Sequence, residues 1–309
     1  LGISRLIAEA ISSGGIRRAS PTGFVAKVAS QPDIPSMTVR GVEELESMAE
    51  RKLRRRVARY EVKRLMREKR SEEMESLEEV FDRSTLMIVY RMLNRGYIKN
   101  IHGVVRSGKE SRIYWGSGKR KNPIALKIYL TTSAEFRQGR VMYIQGDPRF
   151  KRTKMDTRSL VNLWALKEFR NLQQAKQAGV RVPAPIFVEG NVLLMEFIGR
   201  NGIPAPLLRE TPLDHPGRVY DKIAEAVRRL YQKGRLVHGD LSEYNIMMVD
   251  LDPVIFDFAQ AVLPEHPMAR MFLERDLEHL NGYFSKIGVT VPSIERLTSW
   301  VVGEDGNQS

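Results

Sequence analysis

One stretch constrains this chain more than any other: Val237-His238-Gly239-Asp240-Leu241-Ser242-Glu243-Tyr244-Asn245, with Ile255-Phe256-Asp257-Phe258 shortly after it. An Asp, an amide five residues on, and a second Asp at the end of a short apolar run supply oxygen ligands. Such a set suits Mg²⁺, which takes one or two carboxylates and completes its shell with phosphate oxygens. Asp240 is then left to orient or deprotonate a nucleophile. A lone D-x-x-x-x-N is weak; the flanking H-G-D and the later F-D-F make the constellation specific. The bland alternative, a capped turn followed by a core Asp, requires every element to be accidental.

A phosphate-handling half stands upstream. Lys127 lies at the centre of the apolar run Ile124–Tyr129, where a lysine is costly to bury without a partner. Glu168 lies in the helical pattern 160–178, and a strand Lys paired with a helix Glu is how kinases hold the α- and β-phosphates. Taken alone, Lys127 reads equally as a snorkelling edge residue and Glu168 as a surface charge. Their order relative to Asp240, Asn245 and Asp257 favours the pair. Between two expected strands, 101–105 and 112–115, lies Ser107-Gly108-Lys109-Glu110-Ser111. Its hydroxyls, backbone N–H groups and ammonium suit phosphate oxygens. Gly103 to Lys109 nearly spells the P-loop pattern, but Glu110 stands where Ser or Thr would hold Mg²⁺, and no long helix follows, so a P-loop fold is rejected.

Periodicity organises the rest. Ser84 is expected to cap a helix whose inner face is Leu86, Val89, Tyr90 and Leu93, with Gly96 as its stop. Strands are expected at 124–129, 186–188 and 191–197, and a mobile loop at 131–158. Helices are expected at 160–178, 221–233, 273–284 and 293–302. Strands dominate the middle and helices the end, which reads as an α+β protein in two lobes. The expected division is a disordered tail over 1–40, a basic helical extension over 41–100, and lobes over 101–197 and 198–309.

Composition narrows the function classes. With no cysteine, a disulfide scaffold, a Cys-ligated zinc, an iron–sulfur cluster and a thiol nucleophile are excluded. No apolar run approaches the ~18–20 residues of a membrane helix. Lys+Arg 50 against Asp+Glu 37 gives +13, which favours a polyanionic partner such as RNA, DNA or a membrane surface. Residues 51–70 hold eleven basic residues in twenty, read as a phosphate-binding arm in preference to a merely solvated helix.

These residues resemble the RIO kinase family of atypical protein kinases, most closely its first subfamily in an archaeal-like form. The matches are Ser107–Ser111, Lys127, Lys167-Glu168-Phe169-Arg170-Asn171-Leu172, His238–Asn245 and Asp257, joined by Gly146-Asp147-Pro148-Arg149-Phe150-Lys151 and by Phe197-Ile198-Gly199 with Pro204-Ala205-Pro206-Leu207-Leu208. The resemblance runs from about residue 41 to 302. It implies a bilobal kinase-like fold without activation-segment docking helices and with extra N-terminal helices; no Ala-Pro-Glu motif follows Asp257. It implies Asp240 as the catalytic Asp and Asn245 with Asp257 as the metal pair. Lys127 and Glu168 become the ion pair, and Ser107, Gly108, Lys109 and Ser111 the phosphate loop. Met195–Ile198 becomes the hinge, where the Glu196 carbonyl and the Ile198 N–H contact adenine. ATP and Mg²⁺ are the implied cofactors, with Mn²⁺ as a substitute.

In such a family the metal-site Asp also accepts phosphate, giving an ATPase-like cycle. The family acts in maturation of the small ribosomal subunit, so a pre-ribosomal particle, in the cytoplasm and not at a membrane, is the implied partner. Asp257 is followed by Phe258-Ala259-Gln260, where the subfamily often has Val-Ser-Gln. Two other readings stand beside this one. Small-molecule phosphotransferases of the aminoglycoside or choline type also carry H-G-D, but place His two after the Asp, where this chain has Ser242. A catalytically silent RNA-binding assembly factor would keep the fold alone.

Overall fold

Asp82, not Ser84, caps the helix expected at this point of the chain. In the computed structural model, which describes residues 77, 80–131, 141–144, 147–150 and 156–304, its carboxylate accepts from the N–H groups of Ser84 and Thr85 at 2.9 and 3.2 Å. A carboxylate two and three residues upstream satisfies two orphan donors at once, more than the Ser84 hydroxyl can. Helix α1 therefore covers Arg83–Asn94, and its buried face is Thr85, Ile88, Val89 and Met92. Tyr90, expected inward, is exposed. The tail 1–40 and the basic arm 51–70 lie outside the described residues.

The strands that follow are β1 (Ile98–Ser107), β2 (Ser111–Gly118) and β3 (Pro123–Tyr129). Helix α2 (Thr157–Gln177) leads to β4 (Pro185–Glu189) and β5 (Val192–Glu196). The five strands form one antiparallel sheet in the order β1-β2-β3-β5-β4. β3 is central and buried on both faces, which explains its unbroken apolar run. Ile124, Leu126 and Ile128 join the cluster around α1, and Ala125 and Tyr129 point the other way into the core with α2. Lys127 shares that second face by the two-residue period of a strand. Residues 119–121 form a tight turn in which Arg120 and Lys121 take φ of 57° and 61°.

Part of the expected loop 131–158 is packed. Tyr143, Ile144 and Phe150 are buried, and short 3₁₀ turns cover Val141–Tyr143 and Pro148–Phe150. α2 begins earlier than expected because the Asp156 carboxylate caps it, accepting from Ser159 N at 3.0 Å. After β5 come the small hairpin β6 (Gly199–Arg200) and β7 (Ile203–Pro204), then α3 (Pro216–Gln232), opened by a proline at its first turn. A hairpin of β8 (Ile246–Val249) and β9 (Asp252–Ile255) precedes α4 (Ala269–Lys286) and α5 (Ile294–Val302). Ile223, Val227 and Leu230 of α3 are buried as their spacing requires. The described residues all belong to the unit Val62–Ser309. The architecture is α+β, with a sheet-rich first part and a helical second part.

Candidate active site

The central strand and helix α2 place one ion cluster. Lys127 Nζ donates to Glu168 Oε1 and to Asp257 Oδ1, both at 2.8 Å. The Tyr129 hydroxyl, two residues on along β3, donates to Glu168 Oε2. Burial by itself would lower the Lys127 ammonium, but the charges of Asp257 and Glu168 reverse this and hold it well above the ordinary lysine range. Lys127 and Glu168 are 7% and 1% exposed, whereas Asp257 is 42% exposed, so Asp257 is the member still open to a ligand. Asp257 takes φ 64°, a left-handed conformation uncommon for a non-glycine residue.

The loop 238–245 turns against α4. Gly239 N and Leu241 N donate to the two carboxylate oxygens of Asp276 at 2.7 and 2.8 Å, and the Arg275 guanidinium donates to the Gly239 carbonyl. Gly239 has φ 77°, which glycine adopts without strain. His238 lies beneath, 3.0 Å from the Phe256 carbonyl, so Nε2 carries the proton; burial pushes the imidazole down to about 4 and keeps it neutral. Asn245 Nδ2 donates to the Asp240 carbonyl at 2.7 Å and to Asp240 Oδ2 at 3.2 Å. Both bonds use the amide nitrogen, so Oδ1 remains for a cation. Gln260 Nε2 reaches Asp240 Oδ2 at 3.3 Å. Burial, then the nearby Asp257 charge, raises the Asp240 carboxyl.

Two hollows meet here. An apolar slot of about 460 Å³ runs between the sheet and residues 204–207, lined by Val105, Ile113, Ala125, Met195 and Phe197, with Glu196 and Ile198 along it. A more polar hollow of about 220 Å³ is lined by Gly108, Lys109, Ser111, Lys127, Asn245 and Asp257. The two share Arg106, Ile113, Met195 and Phe256. Slot and hollow together have the shape and polarity of a flat apolar group joined to a polyanion.

Nearly all of the residues singled out from sequence converge. Two of them line neither hollow: Ser107 ends β1 paired with Arg112, and Asp240 meets the site through its hydrogen bond from Asn245, which lines the polar hollow. Glu196 turns its carboxylate away to a bidentate pair with Arg181 at 2.7 and 2.8 Å, which leaves only its backbone for the slot. Among the described residues no group of three or more His, Cys, Asp or Glu could hold a metal. A divalent ion would take one carboxylate and one amide oxygen from the protein, a donor set that fits Mg²⁺ completed by phosphate and water. Sequence reasoning missed Asp276, although an Asp between Phe272 and Leu280 on the inner stripe of a helix was a visible signal. It also gave no role to Lys167, Asn171 or Gln260.

The chain is similar to several known proteins. A RIO domain profile matches residues 112–297. The chain is 38% identical over 241 residues to the RIO-type serine/threonine-protein kinase Rio1 of Haloferax volcanii, covering 78% of this chain and 82% of that protein. It is 38% identical over 231 residues to the serine/threonine-protein kinase RIO1 of Caenorhabditis elegans, covering 74% of this chain and 45% of that protein, so it spans under half of the latter. In fold it is similar to the Rio2 kinase of Chaetomium thermophilum, solved as an ADP/Mg²⁺-phosphoaspartate complex. That TM-score is 0.54 at 23% identity, over 72% of this chain and 67% of the other.

Proposed function

The chain belongs to the RIO family of serine/threonine-protein kinases, in its Rio1 subfamily, and from that premise we propose that it is a Mg-ATP-dependent kinase and ATPase acting in small ribosomal subunit maturation. The observation that carries the proposal is the convergence of Lys127, Glu168 and Asp257 at 2.8 Å contacts on a hollow that Asn245 also lines.

In this reading adenine occupies the apolar slot, against the Glu196 carbonyl and the Ile198 N–H. The phosphates enter the polar hollow beside Gly108, Lys109 and Ser111. Lys127, held by Glu168, neutralises the α- and β-phosphates. Asn245 Oδ1 and Asp257 would hold Mg²⁺, which would offset phosphate charge. Asp240, fixed by Asn245 and Gln260, orients a Ser/Thr hydroxyl or a water toward the γ-phosphorus and takes its proton. The oxygen–phosphorus bond forms as the bond to ADP breaks. The alternative acceptor is an Asp257 carboxylate oxygen, giving an aspartyl phosphate and ADP, which water then hydrolyses. The phosphoaspartate in the Chaetomium Rio2 structure supports this route. Electrostatic placement supplies most of the rate in either case.

The pre-ribosomal particle is the polyanion that the +13 charge suits, with the arm 51–70 as its phosphate-binding element and the cytoplasm as the compartment. No helix among the described residues is long and apolar enough to cross a membrane. The test is acid-quenched Mg-ATP turnover of wild type and Asp257→Asn, scoring free phosphate and hydroxylamine-sensitive label on the protein. Metal-dependent turnover that vanishes in the variant is the expected result, and labile label identifies the aspartyl-phosphate route. An unchanged rate in Asp257→Asn would overturn the assignment. A wild type that binds RNA without turnover would favour the silent assembly factor.

A further inference from the structure

Lys167 is a fully buried lysine with no carboxylate in hydrogen-bond contact. It sits beside Glu168 on α2, and both side chains are buried. Its ammonium donates to the Ala259 carbonyl at 2.9 Å and to the Ala261 carbonyl, and lies 5.4 Å from the Trp164 ring centre. One helical turn on, the buried Asn171 donates from Nδ2 to the Phe258 carbonyl at 2.8 Å and to the Ala261 carbonyl at 3.0 Å. Asn171 is itself held: its Oδ1 accepts from Arg149 at 2.9 Å, and Arg149 pairs with the buried Asp147 at 2.7 Å. Two side chains on one turn of α2 thus take the carbonyls of residues 258, 259 and 261.

The place of these carbonyls in the site is specific. Immediately before them is Asp257, in its left-handed conformation. Among them is Gln260, whose amide touches Asp240. Immediately after them, Val262 exchanges backbone hydrogen bonds of 2.8 and 2.9 Å with Val237, which leads into His238-Gly239-Asp240. A short segment that begins at Asp257 and whose other end pairs with the stretch leading into Asp240 is therefore fastened to the same helix turn that carries Glu168. An ammonium desolvated this completely costs folding free energy, and a hydrophobic residue of similar volume would fill the space. What a hydrophobic residue cannot do is fix three carbonyl positions.

We propose that Lys167 and Asn171 are positioning residues that set Asp257 and Asp240 relative to the Lys127–Glu168 pair, making helix α2 and the segment 257–262 one rigid part of the active site. This rests on the phosphoryl-transfer reading of the site. Neither side chain touches substrate; each acts through the backbone that carries a functional residue. Outer partners of this kind, when removed, cost about 10- to 100-fold in metal affinity or activity.

The full chain would be compared as wild type, Lys167→Met and Asn171→Leu, at a temperature where circular dichroism shows all three folded. Three quantities are read: ADP affinity without metal, Mn²⁺ affinity of the ADP-loaded protein by electron paramagnetic resonance, and kcat with KM for Mg-ATP. The expected result is unchanged metal-free ADP affinity, with Mn²⁺ affinity and kcat each down about 10- to 100-fold. Variants that melt earlier but keep wild-type Mn²⁺ affinity and kcat would overturn the proposal and leave the clamp a packing device. Should Lys167→Met not fold, Asn171→Leu, which keeps the lysine, decides by the same readouts. Wild-type turnover tests the phosphoryl-transfer reading alone and the variants' Mn²⁺ affinity tests the clamp, so the two failures are distinguishable.

Discussion

Asp276 shows how much a single buried carboxyl does here. It lines neither hollow, yet its two oxygens hold the N–H groups on both sides of Asp240. Replacing it by Asn leaves one acceptor and turns an NH₂ toward a donor, so Asp276→Asn should cost about 1–3 kcal/mol and lower kcat by displacing Asp240. Burial pushes the Asp276 carboxyl up from the ordinary 3.8 to about 7, with the two N–H donors opposing it. The folded protein then keeps this proton where the unfolded chain has released it. The associated stability is fully present below about pH 4 and is lost as the pH rises toward 7. Asn does not titrate, so the stability advantage of wild type over Asp276→Asn should shrink between pH 4 and 7 in urea unfolding. A constant difference across that range would show that Asp276 is ionised throughout.

At the scale of elements, α1 is attached through its first turn. Asp82 caps the helix and also accepts from the Thr131 hydroxyl at 3.0 Å and the Arg158 guanidinium at 2.9 Å. Thr85, in that same turn, bonds Asn191, whose amide reaches the Tyr129 carbonyl at 2.7 Å. One carboxylate thus joins α1 to the end of β3 and the start of α2. Partial burial raises the Asp82 carboxyl, but the bonds from Arg158, Thr85 and Thr131 outweigh it and bring it to about 2. Its contribution is therefore present above about pH 4 and lost as the pH falls toward 2. Asp82→Ala should cost about 0.5–2 kcal/mol as a lost cap, read as a lower urea midpoint at pH 7. Ser84→Ala should leave that midpoint unchanged, because Ser84 caps nothing. The reverse ranking would restore the cap to Ser84.

For the molecule as a whole, the +13 charge is the property a partner meets first. If the basic run 51–70 is a phosphate-binding arm, neutralising several of its arginines should weaken RNA binding. The dependence of log K on log salt should also flatten, by about 0.7–0.9 for each phosphate contact removed. A slope unchanged in the neutralised variant would return that run to a solvated surface.

Residue type and spacing by themselves determined which residues are the candidates for the site. His238-Gly239-Asp240, Asn245, Asp257, Lys127 and Glu168 were legible as candidates because their types and their order along the chain are those of the kinase family it resembles, and order is a property of the chain. The central strand was equally legible, since an apolar run of strand length is buried on both faces. The tertiary structure decided what depends on distant partners. Lys167 and Glu168 are adjacent in sequence and look alike there, but one meets Lys127 41 residues away and the other a carbonyl 92 residues away. The cap at Asp82, the rotated face of α1, the displacement of Ser107 from the hollow and the role of Asp276 belong to the same class. Each follows from the requirement that buried polar groups find partners, and those partners are assigned only when remote segments pack.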